Sequence, residues 1–258
     1  MRIKRGFRYL FSIYGFLVFI GIMFLLMPAF LVAFVRSGVK GGNLIYKLAG
    51  IWADSFFFLT GVRTRIIFEE EPEWSRQFVF VSNHISYLDI PMMVKVIRQQ
   101  PVRILGKAEM AKVPIFGSIY KKGAVLVDRS NPEKRSESVR ALLGFIAEGI
   151  SIFICPEGTF NKTPAPLKNF YDGAFRIAIE TQTPIRPILF PDTYDRLNYH
   201  SLFSLTPGRS RAIFLSEISV EGMTLEDLPV LKQQVFEQME QGLLRLNARW
   251  ISRDPNSN

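Results

Sequence analysis

The sequence predicts an α/β domain with a mixed, mostly parallel sheet flanked by helices, preceded by an N-terminal membrane-associated helical segment. Three observations carry that prediction. Beyond residue 63, short apolar runs alternate with helical patterns, as in strand–helix units. Several of those runs are almost continuously apolar, as strands covered on both faces are. Ahead of them, Tyr9 to Val35 contains no charged residue, and about 20 apolar residues suffice to span a bilayer. The expected division is 1–62 for membrane-anchoring helices, 63–250 for the α/β domain and 251–258 for a disordered tail.

The N-terminal run is too long for a signal peptide, whose apolar region covers about 7–15 residues. Pro28 kinks such a helix without forbidding it. Arg2, Lys4, Arg5 and Arg8 precede the run and Arg36 and Lys40 follow it, so charge alone does not orient it. A second apolar segment, Leu44 to Gly61, carries Lys47 and Asp54 and suits an interfacial helix. Trp52 and the phenylalanines are expected to dip into the headgroup boundary, and the two helices to pair as a hairpin.

Strands are expected at Thr64–Glu69, Gln77–Ser82, Val102–Gly106, Ala124–Asp128, Ser151–Cys155, Ile185–Phe190 and Ala212–Glu217. Helices are expected over Asn131–Gly149, about Asp172–Thr181 and about Leu228–Leu246. The first has Asn131 as N-cap, Pro132 at N1 and Gly149 as its stop. The last is amphipathic through Val230, Val235, Met239, Leu243 and Leu246.

Composition narrows the chemistry. The 258 residues are 48% apolar with 23 Phe, and the net charge is +9, which favours polyanions or anionic lipid surfaces as partners. A nucleic-acid partner is not expected. The single cysteine, Cys155, excludes an intramolecular disulfide. One Cys and two distant His do not supply a zinc set, so no metal is expected.

One of the two histidines, His84, lies in "VSNHISYLDI", after an apolar strand and five residues before Asp89. Strand ends are where active-site residues gather in α/β sheets. A spacing of five puts two side chains on different faces of a regular helix, so the pair meets only if the chain turns. Two readings stand on these residues alone. Asp89 caps a helix and His84 is a hydrogen-bonded loop residue, or Asp89 orients His84 as a base.

The residues that follow carry a resemblance. Asn83, His84 and Asp89 fit a pattern of NH, four residues and D. "GKAEMAKVPIFGSIYKKGAVLVDRS" supplies Lys107, Glu109, Pro114, Gly117, Gly123, Asp128 and Arg129. "CPEGTF" supplies Pro156, Glu157, Gly158 and Thr159, and "TPIRPILF" supplies Pro184 and Pro187. From Ser82 to Phe190 these blocks resemble, in order, the glycerolipid acyltransferase family of the lysophosphatidic acid acyltransferase type. The resemblance implies a membrane enzyme with its active site on the cytoplasmic side. It would move an acyl group from acyl-CoA or acyl-carrier protein, as co-substrate and without a cofactor, to the hydroxyl of a lysophospholipid. It implies His84 as base and Asp89 as its orienter. Lys107, Arg129, Glu157, Gly158 and Thr159 become the expected substrate-binding residues, and membrane lipids the expected partners.

One position departs from the pattern. The family usually carries Arg after PEGT, associated with the acceptor's phosphate, and here Phe160 stands there. Either Lys162, Lys168 or Arg176 supplies the cation, or the acceptor is a lyso-aminolipid such as a lyso-ornithine or lyso-glycine lipid. A membrane-binding protein without activity and a thioesterase using water are the remaining alternatives. Cys155 is read as packing, His200 as a loop residue, Ser86 as support for the turn, and Lys112, Lys121 and Lys122 as surface charges.

Overall fold

The computed structural model describes residues 2–113, 116–127 and 132–251. It opens with two long helices, α1 (Arg2–Val35) and α2 (Gly38–Leu59), packed as an antiparallel hairpin. Phe19 and Trp52 meet edge to face at 4.7 Å, and Trp52 Nε1 donates to the Phe19 carbonyl at 3.3 Å. The expected hairpin forms, but Trp52, Phe56 and Phe57 turn inward, toward α1 and the rest of the chain. Burying rings against a neighbouring apolar surface outweighs leaving them at a boundary. Phe58, 85% exposed, and Ile51 stay on the outside. Gly6–Val35 of α1 is the one helix among the described residues long and apolar enough to cross a membrane.

The α/β part follows as β1 (Val62–Phe68), β2 (Val79–Ser82), α3 (Asp89–Val96), β3 (Val102–Lys107), α4 (Phe116–Gly123), β4 (Ala124–Val127) and α5 (Pro132–Ala147). It continues through β5 (Ser151–Ile154), α6 (Gly173–Thr181), β6 (Ile185–Leu189), the single turn α7 (Thr193–Arg196), β7 (Gly208–Phe214) and α8 (Leu228–Arg245). Every predicted strand is present. Asn131 and Asp128 lie outside the described residues. Gly149 adopts φ +77° just past α5, where a side chain would be strained.

The seven strands form one sheet in the order β1-β7-β6-β2-β5-β3-β4. All neighbours are parallel except β6 and β7, so β1 and β7 run against the other five. β2, β5 and β6 are buried along their whole length, which accounts for their nearly continuous apolar sequences. One face packs on α5, α6 and α8. The other packs on α3 and the hairpin, with Ala53, Phe56 and Phe57 of α2 in the same cluster as Phe78, Phe80 and Met92.

Two buried arginines fasten these layers. Arg103 of β3 donates to Asn43 Oδ1 at 2.8 Å and to the Val39 carbonyl at 3.1 Å, joining the sheet to the start of α2. A Cβ on Gly42 would stand 2.5 Å from that guanidinium, so the glycine makes the approach possible. Arg186 of β6 donates to the Leu215 carbonyl at 2.8 Å beneath Phe78. The reversed pair β1–β7 brings the end of α2 to the edge where β2, β5 and β6 terminate. There α1 is tied to the domain as well: Ser12 Oγ accepts from the Leu205 N–H at 3.1 Å, and Tyr9 stacks on Phe203 at 5.0 Å.

Candidate active site

β2 and β5 are sheet neighbours, so the segments that leave them emerge side by side. The first carries Asn83, His84 and the turn to Asp89. The second carries Pro156 to Phe160. Asn83 is buried and clamps the end of β6: Phe190 N–H donates to its Oδ1 at 2.8 Å, and its Nδ2 donates to the Phe190 carbonyl at 3.3 Å. His84 is thereby fixed at the sheet edge.

The turn closes on a single carboxylate. Asp89 begins α3 and is fully buried. Its Oδ2 accepts from the Ile85 N–H at 2.7 Å and the Ser86 N–H at 2.8 Å, and lies 2.9 Å from His84 Nδ1. Its Oδ1 accepts from Thr193 Oγ1 at 2.7 Å. An acceptor-only carboxylate so placed fixes the proton on Nδ1 and leaves Nε2 as the basic nitrogen. The His84 side chain is 20% exposed, so its ring is reachable while its partner is not. Ser86 Oγ donates to the Leu197 carbonyl and accepts from the Leu88 N–H, which holds the turn.

Glu157 joins the second segment to the first from below. It is fully buried. Oε1 accepts the His84 N–H at 2.8 Å and Oε2 accepts the Lys168 N–H at 2.8 Å. The His84 carbonyl in turn accepts the Asn161 N–H at 2.7 Å. Burial pushes the Glu157 carboxyl up to about 7, against the two N–H bonds and the nearby Lys168, which pull it down. Gly158 turns the chain with φ +74°, its N–H donating to the Cys155 carbonyl at 3.0 Å. Thr159 is exposed, and its Oγ1 accepts from Lys168 Nζ at 2.7 Å.

Phe160 lies against the histidine, with ring centroids 4.4 Å apart. Tyr87 meets it edge on at 5.0 Å, and Tyr199 stacks at 6.1 Å. The open side of His84 is therefore walled by aromatic rings.

Of the residues expected at the site, His84, Asp89, Glu157, Gly158 and Thr159 come together. Glu157 is buried beside the His84 backbone, with both oxygens given to backbone N–H groups. Lys107 ends β3 with its side chain 54% exposed and Nζ 3.4 Å from Glu109 Oε1. Arg129 and Pro114 lie outside the described residues. Arg176 pairs along its own helix with Glu180, and Lys162 is exposed. Lys122 is not a purely surface charge, since its Nζ donates to the Phe34 carbonyl at 3.4 Å. Cys155 sits 3.6 Å from Ser82 Oγ. His200 is exposed against Tyr199 at 4.2 Å. No group of three or more His, Cys, Asp or Glu side chains suited to a metal occurs among the described residues. Thr193 and Tyr199 are not marked by the sequence: Thr193 lies more than a hundred residues from the Asp89 it bonds, Tyr199 lies well beyond the Phe160 it stacks on, and neither falls in a matched block.

Residues 63–190 match the family model described as Acyltransferase. The chain is 28% identical to 1-acyl-sn-glycerol-3-phosphate acyltransferase beta of Homo sapiens, over 84% of this chain and 77% of that protein. It is 30% identical to acl-2 of Caenorhabditis elegans, over 78% of this chain and 70% of its relative. A solved structure, the 1-acyl-sn-glycerophosphate (LPA) acyltransferase from Thermotoga maritima, shares the fold with a TM-score of 0.75. Its sequence identity is 22%, and the match covers 96% of this chain and 100% of that one.

Glu157→Gln tests the joint beneath His84. The amide turns an N–H toward one of two backbone donors, and a loss of about 1–3 kcal/mol in stability is expected. The pH dependence has a definite sign. Because the folded carboxyl is raised from 4.5 to about 7, its share of stability is full below the lower value and is lost as pH rises through the upper. Thermal melts should therefore show the gap between wild type and variant widest at about pH 4 and narrower at about pH 8. A gap that widens with pH would contradict this.

Proposed function

Because the chain belongs to the acyltransferase family that includes the named 1-acyl-sn-glycerol-3-phosphate acyltransferases, we propose that it acylates the hydroxyl of lysophosphatidic acid to give phosphatidic acid. The donor is a thioester, acyl-CoA or acyl-carrier protein. The observation that carries the reading is the 2.9 Å contact between His84 Nδ1 and the fully buried Asp89 carboxylate.

In this reading His84 Nε2 takes the proton of the acceptor hydroxyl as its oxygen attacks the thioester carbonyl. Asp89 stabilises the imidazolium that results. The tetrahedral intermediate collapses with cleavage of the C–S bond, and the departing thiolate takes the proton back from Nε2. The products are an ester and a free thiol, and no acyl-enzyme is required. The aromatic wall of Tyr87, Phe160 and Tyr199 limits water at the imidazole, which favours transfer over hydrolysis.

Phe160 leaves the acceptor's phosphate without a guanidinium at that position. Lys168, whose Nζ reaches Thr159 at 2.7 Å, is the described cation best placed to replace it. Lys107 and Arg129 retain the roles expected of them at the headgroup or a donor phosphate. Residues 1–62 serve as the membrane anchor and 63–250 as the catalytic unit, the site facing the cytoplasm where the thioester donors are. The exposed apolar face of α1, with Phe7, Leu10, Phe16, Leu17, Phe24 and Leu25, supports insertion.

Three outcomes are expected. His84→Ala should lower transfer to lysophosphatidic acid by about 100-fold or more, with its melting temperature little changed. Unaltered turnover would remove the base. In a panel of acceptors, Lys168→Met should raise KM for lysophosphatidic acid about tenfold. Transfer to lyso-ornithine or lyso-glycine lipids alone would replace the acceptor. In membrane extraction, high salt should leave the protein bound, since salt screens charges and not apolar insertion. Release by salt alone would contradict the anchor.

A further inference from the structure

On the other side of Asp89 the chain builds a second cluster. Thr193, the donor to Asp89 Oδ1, directly follows Asp192, and Asp192 lines an open cavity of about 300 Å³. Pro191, Asp195, Arg196, Arg209, Arg211, Asn247 and Arg249 complete its wall. Four guanidiniums against two carboxylates leave it cationic.

The arginines differ in how they are held. Arg211 is committed: its Nε and Nη2 each donate to Asp192 at 2.7 Å. Arg249 Nε stands 3.6 Å from Asp195 on an exposed side chain. Arg196 donates to the Pro207 carbonyl, while its Nε is buried and has no partner among the described residues. It lies across Gly208, where a Cβ would collide with its Nη1. Arg209 is exposed and forms no ion pair among the described residues. Register extends the positive face: Arg63 pairs with Arg209 and Arg65 with Arg211, and residues two apart share a strand face.

An aromatic file connects this cavity to the histidine. Trp250 directly follows the cavity residue Arg249 in the chain and meets Tyr194 at 6.3 Å. Tyr194 meets Tyr199 at 5.9 Å, Tyr199 meets Phe160 at 6.1 Å, and Phe160 meets His84 at 4.4 Å. A file of contacting rings running from beside a basic cavity to a base suits a ligand with three parts. One end carries phosphates, which guanidinium forks recognise. A purine there finds aromatic faces to stack on. A long arm then ends in the reacting carbonyl. Coenzyme A thioesters have that layout. A concave site fits clustered phosphates better than it fits the convex acidic surface of a carrier protein.

We propose that the cavity lined by Arg196, Arg209, Arg211 and Arg249 binds the phosphates of a coenzyme A thioester, whose arm runs along Tyr194, Tyr199 and Phe160 to His84. The proposal rests on the acyl-transfer reading and names its donor. Asp192 orders the cavity from one side while its neighbour Thr193 orders the catalytic carboxylate from the other.

The test uses the full chain in detergent. Binding of adenosine 3′,5′-bisphosphate is read by titration calorimetry. Turnover is read with acyl-CoA, acyl-carrier protein and S-acyl pantetheine, which carries no phosphate. Arg209→Ala and Arg249→Ala should each weaken nucleotide binding and raise KM for acyl-CoA about tenfold, the loss of one charge-assisted contact. The same variants should leave KM for S-acyl pantetheine within about twofold, a change below one such contact. Tyr199→Leu should raise KM for both of those thioesters. Unchanged nucleotide binding in both arginine variants overturns the site, and a KM rise confined to acyl-carrier protein overturns the ligand. Because calorimetry needs no turnover, an inactive enzyme that binds the nucleotide would refute the acyl-transfer reading and leave this site standing.

Discussion

The structure around the histidine depends on one buried carboxylate. Asp89 accepts from two backbone N–H groups of its own turn, from the Thr193 hydroxyl, and faces the His84 ring. A carboxylate without water is tolerated only when its lone pairs are met, and here four donors surround two oxygens. Each donor does a structural task as well. The Ile85 and Ser86 N–H groups set the path of the turn, Thr193 sets the segment after β6, and His84 receives its tautomer. Removing the charge would unsettle all of these together, so the geometry at His84 and the local fold are the same arrangement.

The sheet order explains why that arrangement is rigid. β2 has β5 on one side and β6 on the other, and each neighbour sends a residue or backbone group back to the histidine segment. From β5 comes Glu157, which holds the His84 N–H. From β6 comes Phe190, whose backbone is clamped by Asn83. The segment is thus fixed along its length by contacts perpendicular to the strands. The Phe160 ring packs on His84 and on Tyr87 of the same segment.

Much of the fold was legible because burial on both faces writes itself into sequence. The runs "FVFVS" and "SIFIC" admit little else, and Gly149, at φ +77°, stands just past α5 where the sequence sets the stop. The His84–Asp89 pair was legible only as a spacing that required a turn. What closes the turn is a carboxylate accepting N–H groups three and four residues back, a contact that spacing permits but does not announce. Thr193 and Tyr199 were not legible, since their proximity is set by the strand order and no local pattern marks them. The inward turn of Trp52 and Phe57 was misjudged for a related reason. An amphipathic helix shows which face is apolar, while what covers that face is decided by α1, α3 and the sheet.

The antiparallel junction of β6 and β7 places the N-terminal hairpin beside the histidine edge. Had β7 continued the parallel order, β1 would begin at the far edge of the sheet, and α2 would end there too. Reversal brings Val62 and the end of α2 to the edge where His84 sits. Tyr14 Oη then reaches the Leu59 carbonyl at 3.0 Å, and Ser12 takes the Leu205 N–H, so the first turns of α1 pack beside the segment that carries Ser86's partner Leu197. The same reversal sets the arginines of β7 at that edge, on the sheet face opposite the hairpin, since Arg209 and Arg211 alternate with Ser210 and Ala212. Apolar hairpin and basic cavity thus flank the His84 edge from opposite faces. On the proposed function, the lipid acceptor would reach that edge from the hairpin side and the water-soluble donor from the cavity side.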